Sequence, residues 1–307
     1  MQPSMKAAKP TLPELREAIY SGATASLISS VGVGAIAKGD MSKLLADAAL
    51  ANRAEVVRLF LEAGADPNVT VSNPDEGQRG LTPLMFAVDV PGKIEIIRLL
   101  LQHGANPHLA TNKGNTALYD AVDHGNQAAA KLLLDAGCKP TGPILLGPVY
   151  RHEVELVKLL IAAGADVNAV GTNDTCLPGR TALEGAVGAR RSELDLLREM
   201  EKTNQSGREA ITPERIKSME SLKTRSQANL EIIRELVKAG ARLDFPSSQN
   251  SPLCCASQVG DMEVVQLLLQ AGADPNASPG SYHSPLQAAT RGGFVEIVKA
   301  LKAAGAK

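Results

Sequence analysis

Tryptophan is absent from this 307-residue chain, and aromatic residues make up only 3% of it. A core with so few large rings must be packed mainly by Leu, Ala, Val and Ile, which suits thin layers of short helices better than one thick interior. No charge of one sign dominates either. Lys and Arg number 32 against 33 Asp and Glu, a formal net charge of −1, so no basic field awaits a phosphate backbone and nucleic acid is not the expected partner. The four cysteines, Cys138, Cys176, Cys254 and Cys255, lack the paired spacing of a disulfide frame or a zinc site. A reducing, cytoplasmic setting is expected. No uninterrupted apolar run reaches the length of a membrane span. The small, apolar stretch Ala23–Ala37 follows Glu14 and Glu17 and is broken by Ser29, Ser30, Gly32 and Gly34. It reads as a terminal cap, with a cleaved signal and export as the alternative.

Catalytic signatures are missing as well. The cluster Gly32-Val33-Gly34…Gly39-Asp40 lacks the Lys-Ser/Thr that would hold phosphate and magnesium. HExxH, CxxC and GxSxG do not occur. His103, His108, His124, His152 and His283 offer no i, i+4 pair with a carboxylate for metal or base work. The expectation is a chain with no catalytic residue, no cofactor and no metal site, in which Cys254 and Cys255 sit on a helix with one of them packed and inert.

Internal repetition is what the sequence does have. AGADPN occurs at Ala63–Asn68 and Ala271–Asn276, with variants at His103–Pro107, Ala136–Lys139, Ala163–Asn168, Ala239–Leu243 and Ala304–Lys307. Each follows an apolar run such as Val56-Val57-Arg58-Leu59-Phe60-Leu61, whose spacing makes a one-sided helix. The glycine just past the run suits a left-handed C-cap. A second motif precedes each run: Thr82-Pro83-Leu84, Thr116-Ala117-Leu118, Thr181-Ala182-Leu183, Ser251-Pro252-Leu253 and Ser284-Pro285-Leu286. Ser or Thr caps a helix N-terminus, and Pro in the first turn loses no intrahelical N–H. Each unit therefore reads as cap, short helix, turn, second helix, glycine stop and loop.

These T-P-L and G-A-D-x-N signatures resemble the ankyrin repeat family from about Ser42 to Lys307, with Leu15–Val33 as a degenerate N-terminal cap. The resemblance implies an all-α solenoid of about seven stacked helix-turn-helix repeats with β-hairpin fingers. Residues 1–40 form the tail and cap in this reading, and residues 41–307 the array.

The period is uneven. The stop glycines stand at 64, 104, 137, 164, 240, 272 and 305, giving spacings of 40, 33, 27, 76, 32 and 33, against about 33 for an ideal repeat. The fingers are long at Val69–Leu81 and Ala169–Arg180, ordinary at Leu109–Asn115 and nearly missing after Gly137. Two long fingers flanking a gap suit a clamp. Drift in loops, which cost little entropy to lengthen, gives the same pattern. The 76-residue spacing holds an insertion at about 191–228, between a first helix ending near Arg190 and a second beginning near Asn229. Leu194, Leu197 and Met200 continue a helix, Thr203–Gly207 reads as a polar turn, and Thr212-Pro213 caps another helix. A charged helical hairpin is expected there, as a second binding arm or as a solvated ornament.

What the resemblance implies about function is a non-catalytic scaffold that grips another protein, as an effector or an enzyme inhibitor, and that is a monomer when free. The contrasting reading is a ligand-binding protein or enzyme with a pocket near the inserted hairpin. Family partners contact finger tips and the concave face of the first helices. Carried onto this chain, the finger positions are Asp75, Glu76, Gln78, Arg79, Asn112, Lys113, Asn173, Asp174 and Arg180, with Tyr282 and His283 beyond. The concave positions are Asp89, Tyr119, Asp123, His124, Gln258 and Arg291. Tyr119, Tyr282, Arg79 and Arg291 are the expected anchors, because interface energy concentrates in Tyr, Trp and Arg.

Overall fold

The computed structural model describes residues 10–32, 34–73, 78–89, 91–172, 175–205, 212–244, 251–277 and 284–307. They fall into two compact units, Met1–Lys139 and Pro140–Lys307.

The first unit stacks four helix pairs: α1 (Leu12–Ser21) with α2 (Thr24–Gly32), α3 (Lys38–Leu50) with α4 (Ala54–Glu62), α5 (Pro83–Val88) with α6 (Ile94–Gln102), and α7 (Ala117–Asp123) with α8 (Gln127–Asp135). First helices pack on first helices (α1 on α3, α3 on α5, α5 on α7), and second on second. Val56, Val57 and Phe60 of α4, Ile96, Ile97 and Leu100 of α6, and Leu133 of α8 are at most 1% exposed. The core is thus a continuous seam of aliphatic side chains shared by neighbouring pairs, with Phe60 its largest member.

The second unit repeats the scheme with α9 (Leu146–Tyr150) and α10 (Val154–Ala162), α11 (Ala182–Gln205) and α12 (Pro213–Lys238), α13 (Pro252–Val259) and α14 (Met262–Gln270), and α15 (Pro285–Arg291) and α16 (Val295–Ala303). The additional residues of the long period lengthen both helices of one pair. α11 runs without a break through Arg190 and past Thr203 to Gln205, beyond the start of the expected turn, and α12 enters from its Thr212 cap, whose Oγ1 accepts from Arg215 N at 3.2 Å. Their far ends are tied by Arg215, which donates to Asn204 Oδ1 at 2.8 Å and to the Met200 carbonyl at 3.2 Å. Nearer the array, Arg198 lies over the Phe294 ring, 5.1 Å from its centre. That ring leaves no room for a side chain at Gly260 or Gly292.

The repeated motifs take the roles their chemistry dictates. Thr82, Thr116, Thr181, Ser251 and Ser284 each accept, through the hydroxyl, the backbone N–H three residues on, at 3.1–3.3 Å. Gly64 and Gly272 end their helices at φ 83° and 91°, a region that strains any residue with a Cβ. The motif's Asn reaches the next repeat. Asn68 Nδ2 donates to the Gly104 carbonyl at 3.0 Å while its Oδ1 accepts from Asn106 N at 2.6 Å. Asn168 and Asn276 do the same with Gly240 and Arg242, and with Gly305 and Lys307.

The fingers differ in form. β1 (Val71–Asn73) and β2 (Gln78–Leu81) make an antiparallel ribbon pairing Val71 with Leu81 and Ser72 with Arg79. The next finger keeps one bridge, Ala110 with Thr116. In the long 169–180 stretch the described residues form no strand. Thr175 donates to the Thr172 carbonyl through both its N–H (3.1 Å) and its hydroxyl (2.7 Å), and the loop closes only at its base, where Gly171 N donates to the Arg180 carbonyl and the N–H of left-handed Gly179 (φ 70°) to the Gly171 carbonyl, both at 2.9 Å.

Candidate functional site

The first-helix face of the first unit collects charge that the fold does not use. Leu84, Ala87 and Val88 of α5 and Leu118, Ala121 and Val122 of α7 face the core. That orientation turns Asp89, Asp120, Asp123 and His124 away from it. Asp123 and His124 are exposed, whereas Asp89, Tyr119 and Asp120 are half-buried. His124 Nε2 lies 2.9 Å from Asp89 Oδ1, and its Nδ1 lies 2.8 Å from the Asp120 carbonyl. Burial pushes the Asp120 carboxyl up to about 6, with His124 pulling it down and Asp123 and Asp89 pushing it further up. Lys93, buried at the start of α6, donates to the Phe86 carbonyl at 3.0 Å, and burial lowers its pKa against the pull of Asp89. The strip presents three carboxylates to one imidazole, and its chemistry suits Lys or Arg side chains of a visitor.

Among the other expected positions, Arg79 and Asn112 are brought together. Arg79 N donates to Asn112 Oδ1 at 2.9 Å and Asn112 N to the Arg79 carbonyl at 3.0 Å, so the ribbon is laced to the next finger. The Arg79 side chain and Lys113 are exposed. In the second unit, Arg180, Gln258 and Arg291 are exposed. Arg180 lies close over Gly188, where a Cβ would stand 3.4 Å from its Nη1. Asp75, Glu76, Asn173, Asp174, Tyr282 and His283 lie outside the described residues, as does the side chain of Gln78.

Several polar residues went unread in the sequence. Asp120 is one, since its position inside a T-A-L-x-x-A helix looks like scaffold. Others gather in the second unit. Arg190, 7% exposed, donates to Asp261 at 2.5 and 3.3 Å, to the Ser226 carbonyl at 2.6 Å and to Glu263 at 3.3 Å. Asn229, fully buried, donates to Glu193 Oε2 at 3.0 Å, and its Oδ1 lies 3.2 Å from His152 Nδ1. Burial raises the Glu193 carboxyl, offset by the Asn229 hydrogen bond and then by the charges of His152, Arg225 and Arg190. These contacts span up to 77 residues of chain, and no local spacing encodes them. They lock the lengthened helices to their neighbours and are structural. Cys254 is buried, its thiol pushed up to about 11 by burial, and Cys255 is half-buried with its thiol also raised by burial. Among the described residues no group of three His, Cys, Asp or Glu side chains gathers as it would around a metal ion. No helix among them is long and apolar enough to cross a membrane.

Comparison with known proteins bears on this arrangement. A family model of three ankyrin repeats matches residues 44–143, and a single ankyrin repeat model matches residues 248–278. An ankyrin repeat and KH domain-containing protein of Caenorhabditis briggsae is 29% identical over 239 residues, which is 73% of this chain and 9% of that protein. The ankyrin repeat and KH domain-containing protein mask-1 of Caenorhabditis elegans is 30% identical over 176 residues, 54% of this chain and 6% of that one. The chain therefore spans under a tenth of the length of these relatives. Among solved structures, the human ASB11 ankyrin repeat domain superposes with a TM-score of 0.53 at 19% identity, covering 86% of this chain and 98% of that domain. The ankyrin repeat domain of Bcl-3, a member of the IkappaB protein family, gives 0.57 at 23%, covering 83% and 97%. Both likenesses concern the fold.

Proposed function

We propose that this chain, whose fold is the ankyrin solenoid and whose residues 44–143 and 248–278 match ankyrin repeat models, grips a partner protein through the first-helix face of its first unit, without chemistry of its own. The observation that carries this reading is the strip of Asp89, Asp120, Asp123 and His124. Three carboxylates held near one another repel, and the packing of α5 and α7 needs none of them. A partner bearing Lys or Arg would relieve that repulsion, with Tyr119 as the rigid side chain at its edge. Arg79 and Lys113, exposed on the neighbouring fingers, extend the same surface toward acidic groups of the partner.

In this proposal Arg180, Gln258 and Arg291 form the corresponding face of the second unit, and the lengthened α11–α12 pair is a solvated elaboration rather than a second arm. Arg215 ties its two helices together and Arg198 ties it to the Phe294 ring ahead of α16, which favours rigidity over capture. The protein is proposed to work in the cytoplasm, as a monomer when free, in the manner of an effector or an inhibitor. The test is affinity capture from the native cell with wild type and a Tyr119→Ala, Asp123→Ala, His124→Ala variant as bait. A partner held by wild type and lost by the folded variant supports the proposal. A partner retained by the variant, or no partner at all, contradicts it.

A further inference from the structure

The first helices of the second unit, α9, α11, α13 and α15, pack side by side in that order. Tyr150, Gln258 and Arg291 each stand four residues before the second helix of their pair, which begins at Val154, Met262 and Val295. Neighbouring first helices therefore carry them at one level. Val149, Val259 and Ala289 beside them turn to the core. Tyr150 is left 62% exposed, and Gln258 and Arg291 are exposed as well. At this level α11 has Gly188, seven residues after the Thr181 cap, as Gln258 and Arg291 are after Ser251 and Ser284.

The gap at Gly188 is covered by Arg180, whose Nη1 lies 3.4 Å from where a Cβ would stand. The root of Arg180 is fixed. Gly171 N donates to its carbonyl at 2.9 Å, and Leu177 packs so closely on Gly185 of α11 that a Cβ there would collide with Leu177 Cδ1. Arg191, a turn beyond Gly188, keeps 31% of its side chain exposed. Burial raises the Cys255 thiol of α13, and Arg191 and then Arg180 pull it back, so both guanidinium groups stand near the joint of α11 and α13. The acids nearby are committed to the scaffold. Glu184 Oε2 accepts from Thr181 N at 2.9 Å and its Oε1 is buried, while Glu153 accepts from Arg151 through both oxygens at 3.1 Å. Asp195 meets Arg191 only at 3.9 Å. The chain as a whole has a formal charge of −1, so the basic character is local to this row.

We propose that the row from Tyr150 through Arg180 and Gln258 to Arg291 is a docking surface for an acidic segment of a protein partner, with Tyr150 as its rigid anchor. This rests on the protein-binding reading above and gives the second unit a ligand opposite in charge to the one suited to Asp89, Asp120 and Asp123. The planar fork of Arg fits a carboxylate through two parallel hydrogen bonds, and Tyr and Arg are where interface energy concentrates. Helices packed about 8–10 Å apart match about three residues of extended chain each, so about six residues of the partner bridge Arg180 and Arg291. Single-stranded nucleic acid, the competing polyanion, is held by a succession of stacked rings, and this row offers Tyr150 alone.

The test uses the full chain and a rhodamine-labelled peptide of eight glutamates, read by anisotropy in about 0.1 M salt, where the Debye length of about 10 Å screens charges elsewhere on the molecule. Wild type should bind the peptide saturably. Arg180→Gln, Arg291→Gln should weaken binding at least about tenfold, and Tyr150→Ala several-fold. Lys299→Gln, Lys302→Gln removes the same charge from exposed positions on the second helix α16 and should change binding less than about twofold. An oligothymidylate of eight nucleotides should not displace the peptide at equal concentration. Circular dichroism confirms that each variant is folded. Unchanged binding by either folded row variant, an equal loss in the Lys299→Gln, Lys302→Gln variant, displacement by the oligonucleotide, or no binding at all overturns the proposal. The assay holds no basic ligand, so its failure leaves the capture experiment on α7 intact, and the reverse also holds.

Discussion

His124 reaches back one repeat to Asp89, its Nε2 2.9 Å from Oδ1 across 35 residues of chain. Both ring nitrogens face acceptors, the second being the Asp120 carbonyl at 2.8 Å, so both contacts are hydrogen bonds only when the ring carries two protons. The two side chains are 45% and 42% exposed. An ion pair that wet contributes under about 1 kcal/mol. Asp89→Asn should therefore leave the unfolding free energy within about 1 kcal/mol of wild type while lowering affinity for a basic partner several-fold. Denaturant titration and binding measured on one preparation separate the two effects.

Asp120 makes stability depend on pH near neutrality. The groups around its carboxyl are Asp123 on its own helix, His124 at that helix's C-cap, Asp89 at the C-cap of α5 and, beyond Asp89, Lys93 at the start of α6. Because the folded chain raises its pKa from 3.8 to about 6, the folded state binds this proton more tightly than the unfolded one. Stability from this group is therefore greatest in acid and declines as pH rises from about 4 to 6. Asp120→Asn should be more stable than wild type at pH 7 by about 1–2 kcal/mol, water at the half-buried carboxylate keeping the figure low. The difference should close by pH 4. Urea midpoints at the two pH values decide it, and equal differences at both would contradict this account of Asp120.

Arg190 should be the most costly polar residue to remove. Asp261, 6% exposed, both holds Arg190 and caps α14 by accepting from Val264 N at 3.4 Å. Arg190→Met leaves a buried carboxylate unpaired and should cost about 3–5 kcal/mol. The adjacent Arg191, whose ion pair with Asp195 is 3.9 Å long and partly exposed, should cost under about 1 kcal/mol as Arg191→Met. Thermal unfolding of the two variants side by side checks the contrast.

Asn52 and His152 are the non-glycine residues at positive φ among the described ones, at 56° and 60°. Asn52 is exposed, and Asn52→Gly should stabilise the protein by up to about 1 kcal/mol by relieving the left-handed strain. His152→Gly gains the same relief but leaves Asn229 Oδ1 and Glu193 without the ring, and should be net destabilising by about 1 kcal/mol. Opposite signs in a denaturant series are the expected result.

The contrast between these residues shows what local sequence encodes. Thr82, Thr116, Thr181, Ser251 and Ser284 were legible as caps because a hydroxyl three residues before an N–H needs only local geometry. The stop glycines were legible for the same reason. Repetition then supplied the stacking, since each pair exposes an apolar face that only a like neighbour covers. Asp89, Asp123 and His124 were legible as surface positions by their phase in the repeat, but their approach to one another was not, because it depends on how α5 and α7 stack. Arg190 and Asn229 were read merely as helix boundaries. Their partners lie 71 and 36 residues away, and the residues that lengthen α11 and α12 place these contacts outside the repeat's own register. Leu177 was hidden by the expectation of a ribbon. A turn built on Gly171, Pro178 and Gly179 folds back instead, and the glycine on another helix that receives it carries no local signal.

The most direct test of the central claim is photo-crosslinking in the native cell, with a benzophenone amino acid placed at Asp89, at Asp123, and at exposed Lys131 on the second helix α8. Adducts from positions 89 and 123 to one and the same protein, with none from 131, are what a partner seated on the first-helix face of the first unit predicts. An adduct from position 131 alone, or none from 89 and 123 in a folded chain, would contradict it.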